Sequence, residues 1–420
     1  MKETLAAPVP GRRVCLTVPT NRECTATLAE VVAEAAYAAE HFGAEVHLLV
    51  LDSSAHFAAH AEVLRAADNV WHLDEPAQRH FLQRVIRRAG VPKPELILDL
   101  MLPGASSYGA CTNRAFLIAA ALGCESVHRR DSDLYFQTYE GNKIFPIHAE
   151  LLSLGRPAHL AVTTENRLDP ALRNTPVAMV GGSFVGEMSV DLGDVAGRDA
   201  YYDLVSLWAA EGTSEEEKRA LVEESFTGSE PFDGDRSLLA VVDPMRVDMH
   251  NISFHGLHER VPLPPATDTI GSDYFLIHVA DKARLPGVWH NRHIVNFHTA
   301  ERKTDAGFLA YQLRFAKFIL SMYYFHFIYE RMTSDDPAAI AAIVRASTWQ
   351  PREPNEVKIE LLERAYRRLG GRFTAVADRI RDDRERLLIE ARRDIDDFAV
   401  LIDVWAPLVE AARAEKVRDV

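Results

Sequence analysis

The sequence predicts an α/β protein in which a strand-rich N-terminal part is followed by a helical C-terminal third. The apolar run at residues 14–18 is typical of a strand that is buried on both faces of a parallel sheet. An Ala-rich helical stretch then reaches about Phe42, Gly43 supplies its stop, and residues 45–51 form a second apolar run. From residue 306 to about residue 414 the pattern is helical. These observations favour a strand–helix–strand opening and a C-terminal helical extension.

Residues 109–136 are the stretch around which the rest of the chain is organised. A helix is predicted over residues 111–121, and Gly123 ends it. Residues 125–128 are short enough to be one strand, and Asp131 and Asp133 follow it directly. Two carboxylates just past a strand end can point into the crevice where open α/β sheets bind ligands. Because Mg²⁺ typically takes one or two carboxylates together with phosphate oxygens, the pair predicts a metal–diphosphate site.

The tripeptide Asp-x-Asp by itself carries little information in this chain. It occurs again at residues 233–235 and at residues 394–396. Only the order of helix, glycine and strand before Asp131 distinguishes the first copy, and a structural role for that copy remains the alternative.

The composition is that of an ordinary globular protein, with 47% hydrophobic and 26% charged residues among 420. A net charge of −14 argues against a nucleic-acid-binding protein and against docking to anionic membranes. An acidic protein that binds an anionic nucleotide needs a local positive site or a metal.

The four cysteines form no Cys-x-x-Cys pair, which indicates reduced thiols in a cytoplasmic protein. The N-terminus has no apolar run long enough for a signal peptide. The most apolar helix, around residues 309–329, contains Arg314 and Lys317, so no membrane insertion is expected.

Several short motifs resemble the nucleotide-binding half of GT-A glycosyltransferases. A Pro-Thr-x-Asn-like turn follows the first strand, an acidic residue follows the second, and an Arg-Asn-like pair precedes the metal-binding Asp-x-Asp in that family. Here the order of the pair is Asn-Arg. The resemblance implies a GT-A-like, Rossmann-type core with a mixed sheet. It also implies nucleotide contacts from Pro19, Thr20, Arg22, Asp52, Asn113, Arg114 and Asp131. Alternatively, Asp52 caps the next segment.

Residues 267–275 and 289–298 resemble the distal half of the GT-A core. By that match Asp273 is the acceptor-side carboxylate and His298 is the third metal ligand beside Asp131 and Asp133, placed by a strand at residues 295–297. Arg302 and Lys303 would hold diphosphate oxygens. Asp273 as a helix cap and His298 as a structural residue are the alternatives.

Seven of the seventeen histidines lie within residues 248–303, which also allows a histidine-rich metal site. Because no His-Glu-x-x-His or paired Cys/His spacing supports zinc, His290 and His293 are expected to be packing or surface residues.

Two further segments leave their roles open. The Gly/Ser-rich loop at residues 103–109 opens a helix and either cradles phosphate or merely connects. The helix at residues 306–332 has an aromatic face, which is either core, the wall of an acceptor pocket or a dimer contact.

The resemblance to GT-A enzymes therefore implies a glycosyltransferase, either hexosyl or pentosyl, that depends on Mn²⁺ or Mg²⁺. It would move a sugar from a nucleoside diphosphate sugar to a small-molecule acceptor. The predicted organisation is a tail at residues 1–11, a catalytic domain at 12–305 with halves at 12–135 and 136–305, and a helical domain at 306–420 through which a homodimer could form. The alternatives are a sugar nucleotidyltransferase and a non-catalytic sugar-nucleotide-binding or scaffold protein.

Overall fold

The computed structural model describes residues 11–188, 190–225 and 228–415, so the predicted tail lies outside it except for Gly11. The strands in this part of the chain are β1 (Arg13–Thr20), β2 (Glu45–Asp52), β3 (Val70–Leu73), β4 (Ser126–Arg130), β5 (Leu134–Phe136), β6 (Thr138–Tyr139), β7 (Asn142–Lys143), β8 (Glu165–Asn166), β9 (Met179–Gly181), β10 (Phe184–Gly186), β11 (Ser237–Val241), β12 (Asn251–His255), β13 (Pro286–His290) and β14 (Ile294–Asn296). The α-helices are α1 (Thr25–Phe42), α2 (Phe57–Leu64), α3 (Glu75–Ala89), α4 (Pro94–Met101), α5 (Tyr108–Ala121), α6 (Ile147–Ser153), α7 (Asp199–Val205), α8 (Glu215–Glu224), α9 (Leu257–Arg260), α10 (Phe275–Lys282), α11 (Asp305–Arg331), α12 (Pro337–Ser347), α13 (Glu353–Leu369), α14 (Phe373–Asp382) and α15 (Arg384–Arg413).

One large mixed sheet organises the described residues. Its strand order is β3-β2-β1-β4-β12-β9-β13-β11-β8. The first four strands are parallel, whereas β12 runs antiparallel to both β4 and β9. In the parallel part the order changes direction between β1 and β4, and ligands of open α/β sheets bind at the carboxyl ends beside such a switch point.

Local sequence signals set the elements that flank this switch point. Strand β1 is apolar because it is covered on both faces. Helix α1 ends at Gly43, which takes the left-handed conformation that favours glycine. Helix α5 begins at Ser107, whose hydroxyl accepts a hydrogen bond from the Ala110 amide at 3.1 Å. Its Gly109 is required by close packing, because a Cβ there would lie 1.9 Å from the Pro264 carbonyl oxygen.

Strand β4 is fully buried although it carries three basic side chains in a row. Arg130 donates hydrogen bonds to Glu34 at 2.8 and 3.0 Å and to Glu150 at 3.0 Å. His128 Nδ1 lies 2.6 Å from the same Glu150 carboxylate. Buried charges persist only when they are paired and hydrogen-bonded in this way, so these contacts fix the strand that delivers Asp131.

The C-terminal helices share the main apolar core with the sheet. Side chains of α11, α12 and α15 belong to the same buried cluster as those of α3, α4 and α5, and the Trp405 indole of α15 donates to the His258 carbonyl at 3.1 Å. Among the described residues, no helix is both long and apolar enough to cross a membrane. The predicted fold class, α/β with a Rossmann-type parallel part, a mixed sheet and a C-terminal helical extension, is confirmed. The domain boundaries stay a prediction.

Candidate functional site

The carboxyl ends of β1 and β4 open into a cavity of about 320 Å³. Its wall includes five arginines, and we call it the arginine cavity. Predicted site residues meet here: Pro19, Thr20, Arg22, Arg114, Asp131, Asp133 and Arg302. The loop before α5 contributes residues 103–107 to the same wall. A crevice that is lined by cationic side chains and is large enough for an anion therefore lies at the switch point of the sheet.

Asp131 lies at the inner end of the arginine cavity, between two cations. Its Oδ2 lies 3.0 Å from His250 Nε2, and its Oδ1 lies 2.9 Å from Arg129 Nη2. Burial by itself would raise the pKa of Asp131, but the charges of Arg129 and His250 outweigh burial and hold this pKa well below its usual value. Asp131 is therefore an anion across the physiological range.

His250 is held by carboxylates on both sides of its ring. Its Nδ1 lies 3.1 Å from Asp248 Oδ1, and Asp248 also accepts a hydrogen bond from the Tyr274 hydroxyl at 2.7 Å. Burial would lower the pKa of His250, but Asp248 and Asp131 raise it to about 10. His250 is therefore an imidazolium at neutral pH, and its ring nitrogens donate hydrogen bonds rather than accept them.

Arg129 connects Asp131 to the predicted acceptor-side carboxylate. Its Nη1 donates to Asp273 Oδ2 at 2.8 Å and to the Met249 carbonyl at 3.0 Å. Burial raises the pKa of Asp273, and the nearby charge of Arg129 opposes this rise only in part. A carboxylate whose pKa lies closer to neutrality is a better general base at physiological pH.

A second cavity of about 560 Å³ meets the first at Asp131 and His250. Two tyrosines, Tyr108 and Tyr311, also belong to both walls. Asp273 lies in the wall of the second cavity, which is otherwise largely aromatic and apolar, and we call it the aromatic cavity. Its lining residues from α11 show that part of the aromatic face of this helix walls a pocket.

In the outer part of the arginine cavity, one charged guanidinium is only partly hydrogen-bonded by the described residues. The guanidinium of Arg302 lies 3.7 Å above the Tyr311 ring, and its buried Nη2 has no hydrogen-bond partner among the described residues. Arg314 donates to Ser106 Oγ at 3.2 Å. Buried donors normally have partners, so an unpartnered guanidinium nitrogen in a cavity wall fits an anionic ligand.

The second carboxylate of the predicted metal pair, Asp133, lies 3.0 Å from Arg22 Nη1. The two carboxylates line one cavity, and Asp131 Oδ1 accepts no hydrogen bond from the residues that the structure describes, despite its contact with Arg129. Carboxylate oxygens are the ligands that Mg²⁺ and Mn²⁺ prefer. Asp131 and Asp133 therefore fit a divalent ion, with Arg22 as a competing cation.

The Phe297 amide donates to the Asp133 carbonyl at 3.3 Å, which brings the strand end carrying His298 beside Asp133, but among the described residues the His298 ring does not join Asp131 and Asp133 in a close group of ligand atoms. Its Nε2 lies 2.7 Å from the Met188 carbonyl oxygen, and its Nδ1 lies 3.9 Å from Glu187. Lys303 lies 3.3 Å from Glu187, is largely exposed, and is not in the wall of the arginine cavity. His298 and Lys303 thus share a glutamate partner outside the two cavities.

The side chains of Asn113 and Arg114 are occupied by contacts within the protein. The Asn113 amide exchanges two hydrogen bonds of 2.8 Å with the backbone of Leu263, which ties α5 to the segment leading to Asp273. Arg114 donates to Gln78 at 2.8 Å and to the Met101 carbonyl at 2.6 Å, although it still forms part of the cavity wall.

Asp52 lies behind the arginine cavity, whose wall contains its neighbours Leu51 and Ser53. Its Oδ2 lies 2.7 Å from His60 Nδ1 and 2.9 Å from His72 Nε2. Of the described residues, these three form the one group of potential metal ligands whose atoms lie within 4.8 Å of each other. The Cys24 amide donates to His60 Nε2 at 3.1 Å, so that ring is fully hydrogen-bonded without an ion. His290, the last residue of β13, and His293 are both buried, so of the two expected roles, packing or surface, they have the packed one.

His250 and Arg129 were missed by the sequence analysis. His250 directly precedes β12, a strand in which polar and apolar residues alternate, and this alternation is the signal that could have placed it at the sheet edge. Arg129 is two residues before Asp131 along β4, and side chains at that spacing share a face of a strand.

Two solved structures are similar to this chain, each at 14% identity and a TM-score of 0.37. The first, described as the crystal structure of a mycobacterial protein, matches over 74% of this chain and 75% of that one. The second, the mannosyltransferase PcManGT from Pyrobaculum calidifontis in complex with GDP-Man and Mn²⁺, matches over 100% of this chain and 91% of that one. These TM-scores are too low to assign a fold or an activity. No curated protein matches the sequence. The family described as a family of unknown function, DUF6271, matches residues 12–420, and the chain belongs to that family.

Proposed function

We propose that this protein transfers a sugar from a nucleoside diphosphate sugar in the arginine cavity to an acceptor in the aromatic cavity. One observation carries the proposal: a cationic crevice and an apolar pocket meet at a single carboxylate–imidazolium pair, Asp131 and His250. A bisubstrate reaction needs two adjoining sites of different chemistry with the reacting atoms at their boundary.

The donor's diphosphate is assigned to the outer part of the arginine cavity. Arg302 offers there a buried Nη2 for which the described part of the chain provides no partner, and Arg314 and Arg22 line the same wall. Arginine forks bind phosphate oxygens in a bidentate manner. Local positive charge of this kind also offsets the net charge of −14 that would otherwise repel a nucleotide.

A divalent ion, Mn²⁺ or Mg²⁺, is proposed to be held by Asp133 and Asp131, which fit it by their donor chemistry. Bound there, such an ion would supply Lewis-acid stabilisation of the diphosphate leaving group. The Arg22 guanidinium would then turn from Asp133 to the phosphates. His298 remains a predicted third ligand, and in that role its ring would have to leave the Met188 carbonyl.

For an inverting reaction, Asp273 is proposed as the general base. It would take the proton from the acceptor hydroxyl as the acceptor oxygen forms its bond to the anomeric carbon. The bond from that carbon to the phosphate oxygen breaks, and its electron pair leaves with the nucleoside diphosphate. Arg129 holds the Asp273 carboxylate in place, and His250 would add positive charge at the boundary of the two cavities, where the sugar is transferred.

A hexose or a pentose as the transferred sugar, a cytoplasmic location and a homodimer through the C-terminal helices stay predictions. They do not enter the argument from the two cavities.

The proposal is tested by a thermal-shift panel of UDP, GDP, ADP, CDP and dTDP, each with Mn²⁺, Mg²⁺ or EDTA. A ligand that binds only the native state raises the melting temperature by mass action. We expect one nucleotide to stabilise the protein, and Arg302→Ala to remove that shift. The matched control Arg393→Ala changes an exposed arginine of α15 and should keep it.

The nucleoside diphosphate sugar with the stabilising base is then incubated with the protein, and released nucleotide is measured. Release of nucleoside diphosphate supports glycosyl transfer, whereas consumption of nucleoside triphosphate and sugar phosphate with pyrophosphate release would instead indicate a nucleotidyltransferase. Absence of any nucleotide shift would overturn the proposal and favour a scaffold role.

A further inference from the structure

We propose that the acceptor is an uncharged, ring-bearing alcohol or phenol, held by the walls of the aromatic cavity with its hydroxyl at Asp273. This inference rests on the proposed function and specifies its second substrate. The acceptor class follows from the aromatic side chains of the cavity wall, the charges that the wall carries and the contact of the wall with the turn before Asp273.

Aromatic side chains in paired arrangements form much of the cavity wall. Trp208 and Phe318 meet edge to face with their ring centroids 5.6 Å apart. On another part of the wall, His278 stacks on Tyr329 with centroids 3.9 Å apart. Aromatic rings offer both faces and edges to a ligand ring, and such contacts stabilise it beyond simple burial. A flat ring system therefore matches this wall better than a sugar or a peptide.

Methionines complete the apolar surface. Met249 and Met322 are buried in the wall, whereas Met245 is 47% exposed. Thioether side chains are flexible and make favourable contacts with aromatic rings. The volume of about 560 Å³ lies in the usual range for pockets that take drug-sized ligands. A ligand of two to three fused rings is of the right order of size.

The charges of the wall exclude acidic acceptors. Asp131, Asp248 and Asp273 all line this cavity, and the His250 ring lies between the first two. His278 and His326 add no positive charge at neutral pH, because burial lowers their pKa to about 3 and about 4. A carboxylate or phosphate on the acceptor would therefore meet like charge at the inner end, which costs affinity.

The aromatic wall reaches the segment that carries the base. Gly271 takes a left-handed conformation two residues before Asp273, and a Cβ there would lie 2.6 Å from the Phe318 ring. Because the ring lies directly against this turn, and because Phe318 and Asp273 line the same cavity, a ligand stacked on Phe318 would have its edge towards the Asp273 carboxylate. That arrangement positions a ring hydroxyl for proton transfer.

The test measures binding of 2-naphthol by fluorescence, in the presence of the stabilising nucleoside diphosphate. Its anionic counterpart, 6-hydroxy-2-naphthoate, has the same ring system with one added carboxylate. We expect 2-naphthol to bind about tenfold or more tightly than the acid. Naphthol O-glycoside should form when the nucleotide sugar replaces the nucleotide.

Two small-to-large variants separate the cavities. Ala210 lines only the aromatic cavity and Ala105 only the arginine cavity, and neither is buried. Ala210→Trp should weaken 2-naphthol binding by about tenfold or more and leave the nucleotide thermal shift unchanged. Ala105→Trp should reduce the nucleotide thermal shift and leave 2-naphthol binding unchanged. A retained nucleotide shift in Ala210→Trp also shows that this variant is folded.

The outcomes distinguish the two proposals. Nucleotide binding without 2-naphthol binding, equal binding of both naphthols, or unchanged 2-naphthol binding in Ala210→Trp would overturn the acceptor class and leave the donor assignment standing. In the opposite case the protein binds 2-naphthol, only Ala210→Trp weakens this binding, and no nucleotide binds. That result would overturn the glycosyltransferase function, whereas the ligand class proposed for the aromatic cavity would stand.

Discussion

Arg129 donates a 2.8 Å hydrogen bond to Asp273, and these two buried side chains lie 144 positions apart in the sequence. The same guanidinium lies 2.9 Å from Asp131. One arginine therefore sets the spacing between Asp131, which lines both cavities, and Asp273, which lines the aromatic cavity. The two cavities are coupled through a rigid, permanently charged group.

Replacement of the proposed base should separate binding from transfer. Asp273→Asn keeps the size of the side chain and an oxygen that accepts from Arg129, but it cannot take a proton. We expect the transfer rate to fall by about 10²–10⁴, the usual contribution of a general base, while the nucleotide thermal shift persists. Asp281→Asn, in the following helix α10 and outside both cavity walls, is the control and should be active. An inverting activity that survives in Asp273→Asn would rule out this role.

Loss of Arg129 should destabilise the protein as a whole. Arg129→Met leaves Asp131 and Asp273 buried with less compensating charge, and removal of one partner from a buried ion pair typically costs about 3–5 kcal/mol. The measurement is the free energy of unfolding from urea titration. Arg393→Met changes an exposed arginine and should cost little. A stability equal to that of the wild type in Arg129→Met would mean that the pairing is not needed to hold the carboxylates.

The metal assignment is tested by two substitutions in parallel. Asp133→Asn should abolish the part of the nucleotide thermal shift that depends on Mn²⁺ or Mg²⁺, because it removes a carboxylate ligand. His298→Ala decides whether His298 is the third ligand: most of that part should be kept where the ring stays hydrogen-bonded to the Met188 carbonyl oxygen, as it is in this structure. Loss of metal dependence in His298→Ala would instead show that the ring swings to the ion. A shift in Asp133→Asn with wild-type metal dependence would remove the metal from the proposal.

Much of the parallel half of the fold follows from local sequence patterns. The residues of β1, α1, β2 and α5 carry apolar periodicity, glycine stops and a serine cap, which act over a few positions. Asp131 and Asp133 could be located because they directly follow such a pattern. Strand β12 escaped prediction because Asn251 and Ser253 are polar, and their burial depends on partners from β4 and β9.

The rest of the site depends on contacts that are distant in sequence. The motif predicts that Asn113 contacts the nucleotide, yet both its amide nitrogen and its amide oxygen are hydrogen-bonded to the backbone of Leu263, 150 positions away. His298 follows a correctly predicted strand, but its neighbours Glu187 and Met188 belong to a different segment. Side-chain roles of this kind are set by tertiary packing, which periodicity does not encode.

Acid sensitivity should come in part from His258, a buried histidine outside the proposed site. Its ring packs 5.1 Å from Phe116, and neither ring nitrogen has a hydrogen-bond partner among the described residues. Burial, reinforced by repulsion from His255 and Arg413, lowers the pKa of His258 from 6.5 to about 3. The folded protein therefore holds this ring neutral while the unfolded chain takes up a proton below pH 6.5.

The pKa of His258 is lower in the folded protein than in the unfolded chain. The free energy of unfolding is therefore unaffected by His258 above pH 6.5, and it decreases as the pH falls from 6.5 towards about 3. At pH 5 the loss is roughly 2 kcal/mol, which is 1.5 units below 6.5 at about 1.36 kcal/mol per unit. His258→Leu removes the titrating group and should reduce the fall in unfolding free energy between pH 7.5 and pH 5 by that amount, as measured by urea titration. His80→Leu, on an exposed position of α3, should keep the wild-type slope. Equal slopes for the wild type and His258→Leu would show that folding does not lower the pKa of His258, so that the ring takes up its proton in the folded protein as it does in the unfolded chain.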